Sequence, residues 1–226
     1  MLTLRKVDAS IGIIPILRHV EVEIGAAETV ALIGRNGAGK TTLLRTIMGF
    51  TNTTGEILFD GTPIHDMHPP RRPGLGIGYA PEDRRLFSAF TVEENILLPA
   101  QAARLDAAET QRRIDRAYDI LPELREMADR PGGSVSGGQG KMVALARALM
   151  LGTKLILLDE PFQGLAPALA QRYAEALRRL RDADRAVTLI ITESNPALLR
   201  GFADRTLVIE RGEITESAGS PQAVPA

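Results

Sequence analysis

Two kinds of apolar pattern occur along this chain. In residues 2–7, 20–24 and 56–60, apolar and polar side chains alternate, which is the period of a strand with one buried face. Strands of a parallel sheet are instead buried on both faces and read as continuous apolar runs. Such runs occupy residues 30–33, 155–158, 188–191 and 207–209. The pattern therefore predicts an α/β fold in which a small antiparallel layer accompanies a parallel main sheet.

Helix-compatible segments separate these runs. The clearest extends from Pro167 to Arg185, where apolar side chains recur at the spacing of one helix face. Residues 92–127 are rich in Ala, Arg and Glu and contain no strand pattern. We therefore expect a helical subdomain at about 88–151, inserted into a core made of residues 1–87 and 152–226.

The composition narrows the class of protein. Its 226 residues, 44% of them hydrophobic, suffice for one domain with a subdomain. The 27 Lys and Arg nearly balance the 28 Asp and Glu, so we expect no nucleic-acid partner. The absence of Cys excludes disulfides and thiolate metal sites. Because no apolar run approaches the ~20 residues of a membrane span, we expect a cytoplasmic protein that meets a membrane only through a partner. The short polar tail from Ser217 to Ala226 is expected to be loose.

A glycine-rich motif follows the first continuous apolar run and opens a helix-compatible stretch. It fits G-x-x-x-x-G-K-[ST] in the strand, loop and helix context that a phosphate-binding loop requires. Its glycines let backbone amides turn toward an anion, and the helix N-terminus adds its positive dipole end. Lys40 would reach the β- and γ-phosphates of a nucleoside triphosphate, and the Thr41 hydroxyl would ligate Mg²⁺. The candidate nucleotide-binding residues of this loop are Gly34, Arg35, Asn36, Gly37, Ala38, Gly39, Lys40, Thr41 and Thr42.

Two acidic residues end the second continuous apolar run. Asp159, at the carboxyl end of a buried strand, would hold Mg²⁺ beside the phosphate loop. Glu160 would orient or deprotonate an attacking water. Strands often end in acids, so the phosphate loop is what makes these two residues candidates for metal binding and catalysis.

A second candidate anion site precedes the helix-compatible stretch 140–151. Its residues are Ser136, Gly137, Gly138 and Gln139. The S-x-x-Q spacing of Ser136 and Gln139 is that of a capping box, in which the glycines are only a turn. Alternatively, a Ser hydroxyl and two Gly amides at a helix N-terminus form a second cradle for phosphate. In that interpretation two subunits pair head to tail, and the cradle of one closes on the γ-phosphate held by the other.

Taken together in this order, the motifs resemble those of ABC transporter ATP-binding subunits. The sequence contains a phosphate loop, then Tyr79-Ala80-Pro81-Glu82, the 136–139 signature motif, the acidic strand end at 155–160 and a switch segment around Ser194. The resemblance implies a P-loop NTPase (RecA-like) core, ATP and Mg²⁺ as cofactors, and ATP hydrolysis coupled to transport. Finer features resemble the subunits of importers for branched-chain and other hydrophobic amino acids. These features are Arg84-Arg85-Leu86-Phe87, Thr91-Val92-Glu93-Glu94-Asn95, Gly164-Leu165-Ala166-Pro167, and Glu193 with Asn195.

Three residues depart from the wider family. Glu82 stands where most members have Gln, and the resemblance places its carboxylate among the Mg²⁺ ligands. Alternatively, the added negative charge near the γ-phosphate would slow nucleotide capture. Ser194 stands where most have a His that contacts the γ-phosphate, so it is expected in a catalytic role without a positive charge. Ile11 replaces an aromatic residue that commonly stacks on adenine, which predicts a weaker apolar contact with the base. Because the phosphate loop, Asp159 and Glu160 match the family, we expect these changes to affect the rate of ATP hydrolysis rather than the reaction itself.

The resemblance also implies partners. It predicts a second ATP-binding subunit, identical or homologous, together with transmembrane permease subunits on the inner face of the plasma membrane, and indirectly an extracytoplasmic solute-binding protein. Segment 82–87 is where it places contact with the permease. Two alternatives remain open at the level of sequence: a degenerate regulatory subunit that binds ATP and hydrolyses little, and the ATPase of a urea or amide importer.

Overall fold

The computed structural model describes residues 1–216, so the tail expected to be loose lies outside the described residues. The strands in chain order are β1 (Leu2–Ile11), β2 (Ile14–Ile24), β3 (Thr29–Ile33), β4 (Asn52–Phe59), β5 (Thr62–Pro63), β6 (Ile77–Ala80), β7 (Leu155–Asp159), β8 (Thr188–Glu193), β9 (Arg205–Glu210) and β10 (Glu213–Glu216). The α-helices are α1 (Lys40–Met48), α2 (Val92–Ala102), α3 (Ala107–Ile120), α4 (Pro122–Arg125), α5 (Gly137–Leu149) and α6 (Pro167–Ala183). Short 3₁₀ helices occupy Pro69–Leu75, Gly132–Ser134 and Pro196–Leu199.

The chain divides into two compact units. The first consists of Met1–Leu75 and the stretch that begins at Thr188, and the second is Gly76–Val187. The segment expected as a helical subdomain lies within the second unit and contains α2 to α5.

The first unit contains the predicted antiparallel layer. Its strands lie in the order β2-β1-β4-β5, and β1 pairs antiparallel with both β2 and β4. Leu2 and Leu4 of β1 are buried, whereas Arg5 and Lys6 are exposed. The alternation read from the sequence is therefore the alternation of a sheet with one solvated face.

The first unit also contains the parallel strands β9, β3 and β8, in this order, with β10 antiparallel at the edge of β9. Every residue of β3 and β8 is buried, which explains why both segments read as continuous apolar runs. The carboxyl ends of β3 and β8 coincide, because Ile33 pairs with Glu193. This register decides which residues meet after the two strands end.

The second unit contains the parallel pair β6 and β7, in which Ile77 pairs with Leu155. All five residues of β7 are buried. Helix α5 supplies much of the core of this unit, with Met142, Val143, Leu145 and Leu149 almost inaccessible to solvent. The mixed α/β fold predicted from the sequence is confirmed.

Candidate nucleotide-binding site

The glycine-rich loop connects β3 to α1, as the motif requires. A side chain on Gly34 would place its Cβ 2.4 Å from the carbonyl oxygen of Ile209, so only glycine fits at the start of the loop. Gly39 caps α1 with a φ of +117°, a conformation that strongly favours glycine. The cap has no side-chain hydrogen bond to the first turn of the helix. Since first-turn amides have no acceptor within a helix, this N-terminus suits an anion.

Lys40 is the first residue of α1, and its side chain is buried. Its Nζ donates to the carbonyl oxygens of Gly34 at 2.6 Å and Arg35 at 3.2 Å, so the ammonium lies within the curve of the loop. It also donates to Ser194 Oγ at 3.0 Å. Ser194 in turn donates to Asn36 Oδ1 at 2.8 Å.

The structure thus brings Lys40, Asn36 and Ser194 together, although Ser194 is far away in sequence. The parallel pairing of β3 with β8 explains this, because Gly34 and Ser194 are the first residues after the two strands and Gly34 N–H donates to Glu193 O at 3.3 Å. Sequence reasoning named all three residues but missed the direct contact between Lys40 and Ser194. The local sequence does not reveal this contact, because the sequence of a strand does not specify which strand lies next to it in the sheet.

Thr41 and Thr42 follow Lys40 in the first turn of α1. Thr41 is half-buried and Thr42 is buried. Arg35, Asn36 and Gly37 are the exposed residues of the loop, and Ala38 is half-buried. The loop therefore presents one face to solvent, as a ligand site must.

Ile11 lies at the end of β1, in the hairpin that joins β1 to β2. It is 48% exposed, and the neighbouring Ile13 and Ile14 are 97% and 61% exposed. A Cβ on Gly39 would lie 3.1 Å from Leu17 and 3.6 Å from Ile16, so β2 passes directly beside the phosphate loop. The strand that follows this exposed apolar hairpin thus adjoins the loop, and adenine contact by Ile11 stays a prediction.

In the second unit, Asp159 ends β7 and Glu160 follows it, and both are nearly inaccessible, at 2% and 5% exposure. The hydroxyl of Tyr79, on the adjacent strand β6, donates to Asp159 Oδ2 at 3.2 Å. Glu160 has a φ of +47°, an uncommon conformation for a residue with a side chain. Lys141 Nζ donates to the main-chain oxygen of Glu160 and so fixes that backbone.

The signature motif begins α5 with a complete capping box. Ser136 Oγ accepts from Gln139 N–H at 3.2 Å, and Gln139 Oε1 accepts from Ser136 N–H at 2.9 Å. A Cβ on Gly138 would lie 2.6 Å from Leu169 Cδ1 of α6, so this glycine permits close helix packing. Ser136 and Gly137 are exposed. The capping role is present in the geometry, and phosphate binding by Ser136, Gly137, Gly138 and Gln139 stays a prediction.

Glu82 is exposed in the segment between β6 and α2. The next residues, Arg84 and Arg85, have positive φ values of +57° and +45°. Arg85 Nε pairs with Asp83 Oδ2 at 2.6 Å, and this carboxylate raises the pKa of Arg85. Arg147 of α5 donates to Arg85 O at 2.8 Å. The segment is therefore tied to the helix that carries the signature motif.

The sequence reasoning assigned no role of their own to two buried polar residues. Asn95 lies in a family-like stretch, and its amide bonds to the 87–91 loop. Arg72 lies in a proline-rich segment, and its guanidinium is buried against four carbonyl oxygens. Burial lowers the pKa of Arg72. Neither residue belongs to a phosphate-binding motif, so no sequence signal drew attention to them.

Comparison with known proteins identifies the class to which this fold and loop belong. Residues 17–163 match the family model described as ABC transporter. The chain is 38% identical to the high-affinity branched-chain amino acid transport ATP-binding protein BraG of Pseudomonas aeruginosa, covering 95% of this chain and 91% of the relative. It is 34% identical to the probable branched-chain amino acid transport ATP-binding protein LivF of Archaeoglobus fulgidus, covering 95% and 90%. Relatives named for iron or sulfate import and for lipopolysaccharide export match at 32–35% identity.

A solved structure agrees with these relatives. A bacterial ABC transporter cassette, solved as a dimer, superposes with a TM-score of 0.82 at 25% identity, covering 97% of this chain and all of the cassette. The chain belongs to the ABC transporter family and is one of its ATP-binding, ATP-hydrolysing subunits. Within residues 1–216, no helix is long and apolar enough to cross a membrane.

Proposed function

We propose that this chain powers an importer of branched-chain or other hydrophobic amino acids, from the cytoplasmic face of the membrane. BraG and LivF, both named for branched-chain amino acid transport, match over nearly the whole chain and support this cargo class. The observation that carries the ATPase role is the buried Lys40 inside a glycine-rich loop at the N-terminus of α1.

In the proposed reaction, residues 34–42 hold the phosphates of ATP. Backbone amides and the ammonium of Lys40 would neutralise the charge that develops on the transferred phosphoryl group. Mg²⁺ typically binds one or two carboxylates together with substrate phosphates, and the donors Asp159, Glu82 and Thr41 suit that preference. When bound, the metal would supply Lewis-acid stabilisation of the phosphate oxygens.

Glu160 is the proposed group that orients and polarises the attacking water. Because its main-chain oxygen is held by Lys141 and its φ is fixed at +47°, the carboxylate has a defined starting direction. Its burial also limits competing hydration. Phosphoryl transfer needs positioning and charge stabilisation more than covalent help, which suits a single well-placed carboxylate.

A second ATP-binding subunit would complete each site. Its signature motif would present the exposed Ser136 and Gly137 and the start of α5 to the γ-phosphate. The dimeric cassette among the structural relatives supports this arrangement. ATP binding would close the pair, and hydrolysis would open it.

Permease subunits would contact segment 82–87 and its continuation. Phe87 and Phe90 are 53% and 39% exposed, and their rings stack with centroids 5.5 Å apart. Exposed aromatic pairs are unusual on a solvated surface and typical of protein contacts. Arg84 and Arg85 lie in the same segment beside Glu82 and Asp83, so its charges balance and the exposed aromatic rings are the feature that favours a protein contact.

The test is Mg²⁺-dependent ATP hydrolysis by the purified chain over a range of protein concentrations. We expect a rate that rises faster than linearly with protein and falls at least about 100-fold in Glu160→Gln, since the carboxylate acts in the transition state. Glu175→Gln is the matched control and should retain activity, because Glu175 lies on α6 outside the proposed site and its carboxylate accepts a 3.4 Å hydrogen bond from Gln171.

Two outcomes would change the proposal. Equal rates in wild type and Glu160→Gln would remove Glu160 from catalysis. ATP binding without measurable hydrolysis by the wild type, alone or with a homologous partner, would instead support a regulatory subunit.

The cargo is tested by comparing the uptake of leucine, urea and sulfate in vesicles that contain the chain with its permease and binding protein. We expect leucine uptake; uptake of urea or sulfate without leucine would overturn the cargo assignment.

A further inference from the structure

The starting observation is the chain of hydrogen bonds that leads from Lys40 through Ser194 to Asn36. Lys40 Nζ donates to Ser194 Oγ at 3.0 Å, and Ser194 Oγ donates to Asn36 Oδ1 at 2.8 Å. A hydroxyl that donates one bond becomes a better acceptor for another, so the two bonds support each other. Asn36 therefore fixes the hydroxyl of Ser194 with a lone pair toward Lys40.

The ammonium of Lys40 already has several acceptors in this arrangement. It carries three protons, and at least three oxygens surround it: Gly34 O, Arg35 O and Ser194 Oγ. Any bond from Lys40 to a phosphate oxygen must therefore replace an existing bond. The two carbonyl oxygens belong to the loop itself and are fixed by its backbone. Ser194 belongs to another segment and is exposed, so the bond from Lys40 to Ser194 is the one most easily exchanged for a bond to phosphate.

We propose that Asn36, Ser194 and Lys40 form a latch that holds the phosphate loop in a self-bonded state, and that nucleotide must break the Lys40–Ser194 bond to bind. In this arrangement Ser194 Oγ would compete with a phosphate oxygen as an acceptor for Lys40. Asn36 is a positioning residue, because it acts on Lys40 only through Ser194. The inference rests on the proposed placement of phosphate in residues 34–42.

The latch differs in its consequences from a γ-phosphate contact by Ser194. A latch on Lys40 competes with every nucleotide that this lysine binds, including ADP, because Lys40 reaches the β-phosphate as well. Removal of the hydroxyl should then tighten ADP and ATP binding alike. A direct bond from Ser194 to the γ-phosphate predicts weaker ATP binding and unchanged ADP binding.

The experiment is an equilibrium fluorescence titration with N-methylanthraniloyl ADP and ATP. Ser194→Ala should bind both nucleotides about threefold to tenfold more tightly, which is the effect of one lost charge-assisted hydrogen bond after partial compensation by water. Ser194→Thr keeps the hydroxyl and should bind like the wild type. Thr54→Ala, which removes an exposed hydroxyl on β4 outside the phosphate loop and the switch segment, is the control and should not change the affinity.

Asn36 is tested by a double-mutant cycle. Asn36→Ala should tighten ADP binding, and the double variant with Ser194→Ala should bind no more tightly than Ser194→Ala alone, because both act through one bond. Additive effects, unchanged ADP binding in Ser194→Ala, or selective loss of ATP binding would each overturn the latch. Failure of the wild type to bind either nucleotide would contradict the proposed site itself rather than the latch.

Discussion

The side-chain amide of Asn95 forms hydrogen bonds with both the backbone N–H and the backbone carbonyl oxygen of Phe87. Its Oδ1 accepts from Phe87 N–H at 2.8 Å, and its Nδ2 donates to Phe87 O at 3.0 Å. The same Nδ2 donates to Thr91 O at 2.8 Å, and the side chain is inaccessible to solvent. One buried amide thus holds the loop that presents the exposed rings of Phe87 and Phe90.

Asn95→Asp should destabilise this loop although it keeps the size of the side chain. The substitution removes the donor to Phe87 O and Thr91 O and leaves a buried carboxylate facing carbonyl oxygens, which we expect to cost about 2–4 kcal/mol. The thermal midpoint should fall, and amide hydrogen exchange should accelerate in residues 86–91. Asn52→Asp, at an exposed asparagine of β4, is the control. Unchanged exchange in that loop would show that the Asn95 bonds do not hold it.

Arg72 should stabilise α1, the helix that follows the phosphate loop. Its Nη1 donates to Thr46 O at 2.9 Å and Ile47 O at 2.7 Å, which lie in the last turn of α1, where a cation also complements the helix dipole. Arg72→Met keeps the aliphatic stem and removes the donors, so we expect a loss of about 2–4 kcal/mol and a thermal midpoint about 5–15 °C lower.

The neighbouring Arg71→Met is the matched control for that substitution. Arg71 is exposed, whereas Arg72 is 2% exposed, so its replacement should change stability by no more than about 0.5 kcal/mol. Equal midpoints for the two variants would mean that water or neighbouring groups satisfy the carbonyl oxygens of α1 without Arg72.

Ser136→Asp separates the capping role of this residue from phosphate binding. Asp and Ser are about equally good N-caps, so the thermal midpoint should stay near that of the wild type. A carboxylate at the start of α5 would repel a γ-phosphate, so ATP hydrolysis should be lost. Ser136→Ala should show the reverse balance, with about 1 kcal/mol less stability and a smaller loss of activity. Full activity of Ser136→Asp would restrict Ser136 to its capping role.

Glu82→Gln tests the proposed metal ligand that departs from the family. Removing the carboxylate should raise the Mg²⁺ concentration required for half-maximal hydrolysis several-fold, about threefold to tenfold, because an amide oxygen is a weaker ligand for a hard cation. The measurement is a Mg²⁺ titration of ATP hydrolysis at fixed ATP. Asp83→Asn removes the adjacent acid, which pairs with Arg85, and should leave the Mg²⁺ requirement unchanged. A lower Mg²⁺ requirement in Glu82→Gln would show that the carboxylate opposes nucleotide binding instead.

The local amino-acid sequence is enough to predict those features whose geometry depends on neighbouring residues in the chain. Strands β3, β7 and β8 were readable because burial on both faces demands continuous apolar residues. The phosphate loop and the capping box of Ser136 and Gln139 were readable because their geometry is closed within a few residues.

Contacts between residues that are distant in the sequence become visible only in the folded chain. Lys40 and Ser194 are 154 residues apart, and their contact depends on the parallel register of β3 with β8. Arg72 reaches α1 because of how the 3₁₀ helix Pro69–Leu75 packs, and Asn95 folds a loop back onto its own helix. Such contacts depend on strand order and packing. Both are determined by burial over the whole chain, so the local pattern of apolar residues does not predict them.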